Sequence, residues 1–271
     1  MNKHEYPNLG ETLYEEVLPN GLSVLVAVKP GFRKNAAFFA TRYGGADRRF
    51  KVNGEWIDTP AGVAHFLEHK MFDMPDGRNV LSDFAALGAS PNAFTGTGHT
   101  AYYFTGSENF MENLRLLLTY VSTPYYTEES VAKEQGIIGQ EIRMIEDNPD
   151  WQIYTRMMQS LYGVSTARTP IAGTVESISH ITAQTLYDCH KAFYTPSNMV
   201  LCVVGNVEPQ RIMDIAYEVL PQGKPEPAVP RDYGTEDAGV AAARTEREME
   251  VAMPMFLGGF KCTPPQEGEA S

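Results

Sequence analysis

The residues best suited to chemistry stand in one pentapeptide, His65-Phe66-Leu67-Glu68-His69. On a helix His65 and His69 are four residues apart, so their imidazole rings share one face. Two neutral imidazoles one turn apart can bind a single zinc ion at about 2.0–2.1 Å each. Glu68 lies at the edge of that face, where its carboxylate can reach a zinc-bound water without binding the metal. The spacing therefore predicts a zinc site with a carboxylate base; the alternative is a helix whose two partly exposed histidines bind nothing.

One of two further acidic residues could complete this site, because a catalytic zinc ion usually has three protein ligands and one open position. The helix that Thr127 is expected to cap contains Glu134 and Glu141, which are two turns apart and therefore share a face. Both glutamates could equally be surface residues, so spacing alone does not choose the third ligand. Gly136 and Gly139 weaken the same helix, and they predict that another helix packs very closely against it.

The elements that must carry these residues follow from capping signals and hydrophobic periodicity. Asp58-Thr59-Pro60 is typical of a helix start and predicts a helix over residues 61–72, which includes the pentapeptide. Further helices are predicted over residues 79–87, 108–121, 128–147, 151–162, 182–194 and 209–220, and strands over residues 12–18, 22–28, 36–43, 101–105 and 199–205. Strands and helices are partly segregated along the chain, which favours an α+β fold over a doubly wound sheet.

Composition excludes several classes of function. Lys and Arg number 22 against 34 Asp and Glu, which gives a formal net charge of −12. Such an acidic chain is not expected to bind nucleic acid or an anionic membrane, because phosphates attract basic patches. The N-terminal residues are polar, and no apolar run approaches the ~20 residues that a bilayer requires. The three cysteines form no CxxC pair and no disulfide framework, which predicts reduced thiols in a cytoplasmic protein.

Proline usage divides the chain. Residues 221–271 contain 7 of the 18 prolines, an enrichment that is typical of linkers. Within them, residues 248–260 (EMEVAMPMFLGGF) are apolar and resemble the opening strands of a new unit. We therefore predict a zinc-binding domain over residues 1–220, a proline-rich linker over 221–245, and the start of an incomplete second domain over 246–271.

Six stretches resemble, in order, the N-terminal half of the inverted-zincin peptidases: pitrilysin, insulin-degrading enzyme, and the mitochondrial and bacterial processing peptidases. They are LPNGL (residues 18–22), TPAGVAHFLEHKMF (59–72), GASPNAFT (88–95), EQGIIGQE (134–141), AGTVESI (172–178) and YTPSNMVLCVVG (194–205). The resemblance covers nearly all of residues 10–220 and is strongest toward the smaller bacterial insulinase-like processing peptidases. It implies a largely antiparallel sheet packed against helices, of the LuxS/processing-peptidase type.

The resemblance also implies a function, that of a zinc-dependent metalloendopeptidase with one Zn²⁺ per chain. It implies that His65, His69 and Glu141 are the zinc ligands and that Glu68 is the general base. Glu134 matches an acidic position that supports the ligands from behind.

Asn92 and Ala93 match the edge-strand segment on which the family lays its substrate, a peptide or small unfolded protein, by main-chain pairing. A peptide-binding or assembly subunit of the same fold, without turnover, is a weaker alternative because all four site residues are intact. A LuxS-type lyase also has an HxxEH helix, but it needs a catalytic cysteine, and no cysteine precedes Cys189.

The family's working unit has two homologous halves that close around the peptide, and the second half usually supplies arginine and tyrosine side chains. This chain is expected to hold the zinc half and only the opening of the other, from about residue 246. We therefore expect it to work with a C-terminal homologous half or a partner subunit, and to have weak or no activity alone.

Overall fold

The fold is built on nine strands within residues 1–262, the part of the chain that the computed structural model describes. They are β1 (Asn2–Tyr6), β2 (Glu11–Val17), β3 (Ser23–Val28), β4 (Asn35–Thr41), β5 (Arg49–Val52), β6 (Glu55–Asp58), β7 (Ala89–Thr95), β8 (Thr100–Gly106) and β9 (Met199–Gly205). Seven of them form one sheet in the order β1-β2-β3-β9-β4-β8-β7, and β5 pairs with β6 in a separate hairpin. Among the pairs in these described residues, only β3 and β9 run parallel.

Eight α-helices accompany the strands in the described residues. They are α1 (Val63–Lys70), α2 (Val80–Ala86), α3 (Phe110–Val121), α4 (Glu128–Glu146), α5 (Pro149–Leu161), α6 (Val175–Ser179), α7 (Ala183–Phe193) and α8 (Pro209–Val219). None of the helices described is both long and apolar enough to span a bilayer.

The core lies between one face of the sheet and the helices. Strand residues alternate in direction, so every second side chain of β4 and β9 is buried, for example Phe39, Leu201 and Val203. α3 contacts β4 and β8 on the sheet, α8 contacts β3, and α1 contacts β7 and β8. The predicted α+β fold, a largely antiparallel sheet packed against helices, is confirmed.

The start of α1 differs from its sequence signal. The Thr59 hydroxyl does not cap the helix but donates to the Arg48 carbonyl oxygen at 3.0 Å. Gly62 is the N-cap instead, with a φ of 100° that L side chains rarely adopt. A Cβ on Gly62 would lie 2.6 Å from the Ala172 carbonyl oxygen, so the loop at Ala172 can approach only a glycine. This contact anchors the helix that carries the pentapeptide.

The start of α4 agrees with its sequence signal. Thr127 and Ser130 form a reciprocal capping box, in which each side chain bonds to the other's backbone N–H. The expectation of a closely packed helix at Gly136 and Gly139 is wrong for the described residues. A Cβ on Gly136 would meet no atom within 4 Å, and one on Gly139 would meet only the end of the Arg143 side chain at 4.0 Å.

The proline-rich segment, residues 221–262, contains no helix or strand apart from one isolated bridge between Arg231 and Phe50. The strands expected within residues 248–260 are therefore not found. Glu236 attaches the segment to the loop after α5, and the Gly259 backbone lies against Leu161 of α5. Residues 263–271 lie outside the described residues, and the proposed boundaries at 220 and 245 stay predictions.

Candidate metal centre

α1 and α4 bring three metal-ligating side chains together. His65 Nε2 lies 3.6 Å from Glu141 Oε1, and His69 Nε2 lies 3.6 Å from Glu141 Oε2. The two imidazole rings are tilted by 58°, with their centroids 4.6 Å apart. One ligand atom from each of the three residues lies within 4.8 Å of the other two, and all three residues are half-buried.

The spacing of these atoms fits a metal ion better than direct hydrogen bonding. A nitrogen–oxygen distance of 3.6 Å exceeds the usual hydrogen-bond range of about 2.7–3.2 Å. Ligand bonds of about 2.0–2.2 Å in a tetrahedral shell place neighbouring ligand atoms roughly 3.4 Å apart. Two imidazoles and one carboxylate are also a donor set typical of catalytic zinc. These residues therefore fit one zinc ion, and three protein ligands would leave a fourth position for water or substrate.

Glu134 orients one of the two imidazoles. Its Oε1 lies 2.9 Å from His69 Nδ1, and because a carboxylate can only accept, Nδ1 carries the shared proton. In the neutral ring His69 Nε2 then keeps its lone pair on the side of Glu141. Burial, the largest single effect, lowers the pKa of His69, but Glu134, Glu141 and Glu68 together outweigh it and raise that pKa. A carboxylate behind a ligating histidine is the usual arrangement around zinc.

His65 lies in a less solvated environment than His69. Burial, with a smaller effect from the charge of His69, lowers the pKa of His65 to about 4. Its ring is therefore neutral at pH 7, as a zinc ligand must be. The Nδ1 atom of His65 is buried and has no hydrogen-bond partner within residues 1–262. The two histidines thus differ, because only His69 has a carboxylate behind it.

Glu68 belongs to α1 and lies beside the three clustered side chains. Burial raises the pKa of its carboxyl group and the charge of Glu141 adds to this, while Thr95 and His69 act in the opposite direction. The Thr95 hydroxyl donates to Glu68 Oε2 at 2.6 Å. A carboxyl group whose pKa is raised toward neutral pH is better matched to general-base chemistry.

β7 is an edge of the main sheet, and it contains Asn92 and Ala93. It pairs with β8 on one side, and no described strand pairs with its other side. The Asn92 side chain accepts the Ala93 N–H at 2.8 Å, so one backbone donor of this edge is paired within the chain. The last residue of β7 is Thr95, which joins this edge to Glu68.

The ligand, base and supporting residues singled out in the sequence are therefore neighbours in the fold, although spacing alone left the choice between Glu134 and Glu141 open. Asn92 and Ala93 lie on the edge strand β7. Thr95 has no role that its sequence pattern predicts; its position at the end of the GASPNAFT stretch is the one signal that points to it.

Another histidine, His190, is buried away from this cluster, and its Nε2 lies 3.0 Å from the Val121 carbonyl oxygen. Burial lowers the pKa of His190 to about 4, as expected for a core histidine.

Comparison with known families agrees with this geometry. The family model described as insulinase (peptidase family M16) matches residues 54–175, a range that includes α1 and α4. The model described as the peptidase M16 inactive domain matches residues 180–270. The chain belongs to the M16 peptidase family. The membership implied by the sequence resemblance is thereby confirmed.

M16 relatives align over most of this chain. The zinc protease YmfH of Bacillus subtilis is 46% identical over 96% of this chain, and a zinc protease of Rickettsia felis is 31% identical over 80%. A crystal structure of an M16-like peptidase from Alicyclobacillus acidocaldarius is 40% identical and covers 89% of this chain with a TM-score of 0.83.

This M16 chain spans only part of those relatives. It covers 62% of the Bacillus protein, 52% of the Rickettsia protein and 56% of the Alicyclobacillus chain.

Proposed function

We propose that this chain is the zinc-binding half of an M16 peptidase that hydrolyses peptides, with Glu68 as the general base. The observation that carries the proposal is the meeting of His65, His69 and Glu141 from two helices, with Glu68 beside them. The names of the relatives, which are zinc proteases, support it. In this proposal the three clustered residues are the metal ligands and Glu134 holds His69 from behind.

Zinc held by these three ligands would lower the pKa of a bound water toward about 7 and polarise the scissile carbonyl. Protonated imidazoles and carboxyl groups do not bind zinc, so His65, His69 and Glu141 must all be deprotonated. For His65 this condition is met at neutral pH, because burial lowers its pKa to about 4. The site should therefore lose zinc in acid.

Glu68 supplies the proton transfers of the proposed reaction. Its carboxylate takes a proton from the attacking water and later gives that proton to the leaving amine, so the side chain ends ionised as it began. Each transfer requires a heavy-atom distance of about 2.6–3.2 Å. Burial of Glu68 supports this role, because it raises the pKa and makes the carboxylate a stronger base.

The edge of β7 is the proposed binding surface for the substrate. An extended peptide that adds to a sheet edge gains affinity from main-chain hydrogen bonds, with little demand on its side chains. Asn92 accepts the Ala93 N–H in this structure, so a pairing peptide must displace that side-chain contact. We expect a peptide or a small unfolded protein as the substrate class.

A second homologous half, on the same chain or on a partner subunit, is the proposed partner. The relatives are longer than the region that this chain covers, which supports such a half. Positioning a substrate can account for about 7–11 kcal/mol of a barrier, and one half alone leaves the zinc cleft open to water. We therefore expect weak or no hydrolysis by this chain alone.

Hydrolysis of a quenched fluorescent peptide tests the proposal. The chain is assayed alone and with a separately expressed second half, taken from the region of the Bacillus relative that this chain does not cover. We expect hydrolysis only in the mixture, loss of hydrolysis with a zinc chelator, and recovery when zinc is added back. The alternative, a peptide-binding or assembly subunit, predicts that the chain binds peptide without hydrolysis, both alone and with the second half. Full activity of the monomeric chain alone would contradict the need for a second half.

A further inference from the structure

The contact between Glu68 and Thr95 links a residue of α1 to the edge strand β7. The Thr95 hydroxyl donates to Glu68 Oε2 at 2.6 Å, within the short range of about 2.5–2.7 Å that is typical of hydroxyl–carboxylate hydrogen bonds. Within residues 1–262 no other protein donor bonds to the Glu68 carboxylate. One of its two oxygens is thus held, and Oε1 has no hydrogen-bond partner in the part of the chain that the structure describes.

Thr95 is itself fixed by the sheet. It is the cross-strand partner of Thr100 in β8, and the two hydroxyl oxygens lie 3.4 Å apart. Thr100 is fully buried and donates to the Tyr43 carbonyl oxygen at 2.9 Å. Threonine is branched at Cβ, which restricts its χ1 angle in a strand. The Thr95 hydroxyl therefore has a backbone-defined position from which to hold Glu68.

Fixing one carboxylate oxygen restricts rotation of the whole group. A general base works only within hydrogen-bond reach of the proton that it removes, and a misplacement of about 1 Å can cost 10²-fold in rate. With Oε2 committed to Thr95, Oε1 is the oxygen available to accept a proton. A freely rotating carboxylate would have to find that orientation in every turnover.

We propose that Thr95 is a positioning residue that fixes the orientation of Glu68 through its hydroxyl; this inference rests on the proposed function. Within residues 1–262 the Thr95 hydroxyl makes no hydrogen bond to His65, His69 or Glu141, and a peptide that adds to the edge of β7 pairs with its main chain rather than its side chains. Its effect is therefore expected in the rate of turnover rather than in metal content or peptide affinity.

Three variants test this proposal in the two-half assay. Thr95→Val keeps the side-chain shape but removes the hydroxyl, Thr95→Ser keeps the hydroxyl, and Thr105→Val is a matched control in β8. We expect Thr95→Val to lower kcat about 10- to 100-fold with KM within about twofold of wild type. We expect Thr95→Ser to recover kcat to within about threefold, and Thr105→Val to leave kcat and KM unchanged. All variants should keep their zinc. Equal kcat values for Thr95→Val and wild type, or a Thr95→Ser variant as slow as Thr95→Val, would overturn the proposal.

Crystal structures of the same variants separate this inference from the proposed function. We expect the Glu68 carboxylate to keep its contact with residue 95 in Thr95→Ser and to rotate away in Thr95→Val. If wild type never hydrolyses peptide, the proposed function fails, and these structures still decide the claim about Glu68. An unmoved Glu68 carboxylate in Thr95→Val would refute the positioning role whatever the activity.

Discussion

The candidate metal centre and the proline-rich segment differ in what holds their charged side chains in place. At the candidate metal centre, His65 and His69 come from one helix and Glu141 from another, and both helices pack into the core. The proline-rich segment has no helix or strand, and Glu236 attaches it by accepting the three consecutive backbone N–H groups of Gly163, Val164 and Ser165. Lys261 closes the segment on itself, because it donates to Glu236 and to the carbonyls of residues 237 and 239.

This difference predicts how each region responds to the substitution of one residue. The geometry of the candidate metal centre depends on helix packing, so losing one side chain should change its chemistry without moving the others. The proline-rich segment also has contacts elsewhere, such as the salt bridge of Arg231 with Asp47, but its attachment to the loop after α5 depends largely on one carboxylate. The N–H of Gly163, with those of Ser165 and Val164 and the Lys261 ammonium group, lowers the pKa of Glu236 to about 2. We therefore expect single substitutions to act on reactivity in the first region and on local order in the second.

The largest effect is expected from Glu68→Gln, which removes the base but keeps its shape. A positioned acid or base contributes about 10²–10⁴ in rate, so kcat in the two-half assay should fall by that factor. Zinc content should not change, because Glu68 is not among the three clustered residues. Glu146→Gln, an exposed position on α4, is the matched control and should retain full activity. Hydrolysis by Glu68→Gln at a near wild-type rate would show that Glu68 is not the base.

A smaller effect is expected from Glu134, which is hydrogen-bonded to His69 but is not one of the three clustered residues. Removing a carboxylate behind a ligating histidine typically costs 10- to 100-fold in metal affinity. Glu134→Gln keeps an acceptor for His69 Nδ1 and should lie near the lower end of that range, and Glu134→Ala near the upper end. Zinc competition with a chromophoric chelator measures both variants. Equal zinc affinity for Glu134→Ala and wild type would argue against the supporting role.

The smallest effect is expected at the proline-rich segment, and it depends on pH. Because the pKa of Glu236 falls to about 2 in the folded chain from 4.5, its contribution is present above pH 4.5 and is lost as pH falls toward 2. At neutral pH, Glu236→Gln should lower hydrogen-exchange protection of the amides of residues 163–165 several-fold. Protection in α1 and α4 should not change.

Asp237→Asn is the matched control for that experiment, because the contact at residue 237 uses its backbone carbonyl and not its side chain. It should leave protection at residues 163–165 unchanged. Loss of protection in α4 together with residues 163–165 would mean that the two regions are not separable.

Local signals in the sequence predicted much of the fold. The Thr127 cap predicted a helix over residues 128–147, and α4 spans Glu128–Glu146. The β5–β6 hairpin was missed although Asn53-Gly54 is a strong turn signal, and both residues have positive φ angles of 52° and 89°. The start of α1 was misplaced because its N-cap, Gly62, is selected by contact with a loop far along the chain.

The residues of the candidate site differ in how directly the sequence predicted them. The HxxEH spacing indicated His65, His69 and Glu68 directly, because helical periodicity is local. The choice of Glu141 over Glu134 required the family resemblance, since both lie on one face of the same helix. The contact of Thr95 with Glu68 could not be predicted, because it forms only where the end of β7 packs against α1. Neither the HxxEH pentapeptide nor the GASPNAFT stretch indicates that the two residues meet.

Zinc content tests the central claim, that His65, His69 and Glu141 form a zinc site, most directly. Elemental analysis is made on the purified wild-type chain and on the His69→Ala, Glu141→Gln and Glu146→Gln variants, each confirmed as folded by circular dichroism. The account predicts about one zinc per chain in wild type and in Glu146→Gln, and little or none in His69→Ala and Glu141→Gln. Zinc content that is unchanged in both His69→Ala and Glu141→Gln would contradict it.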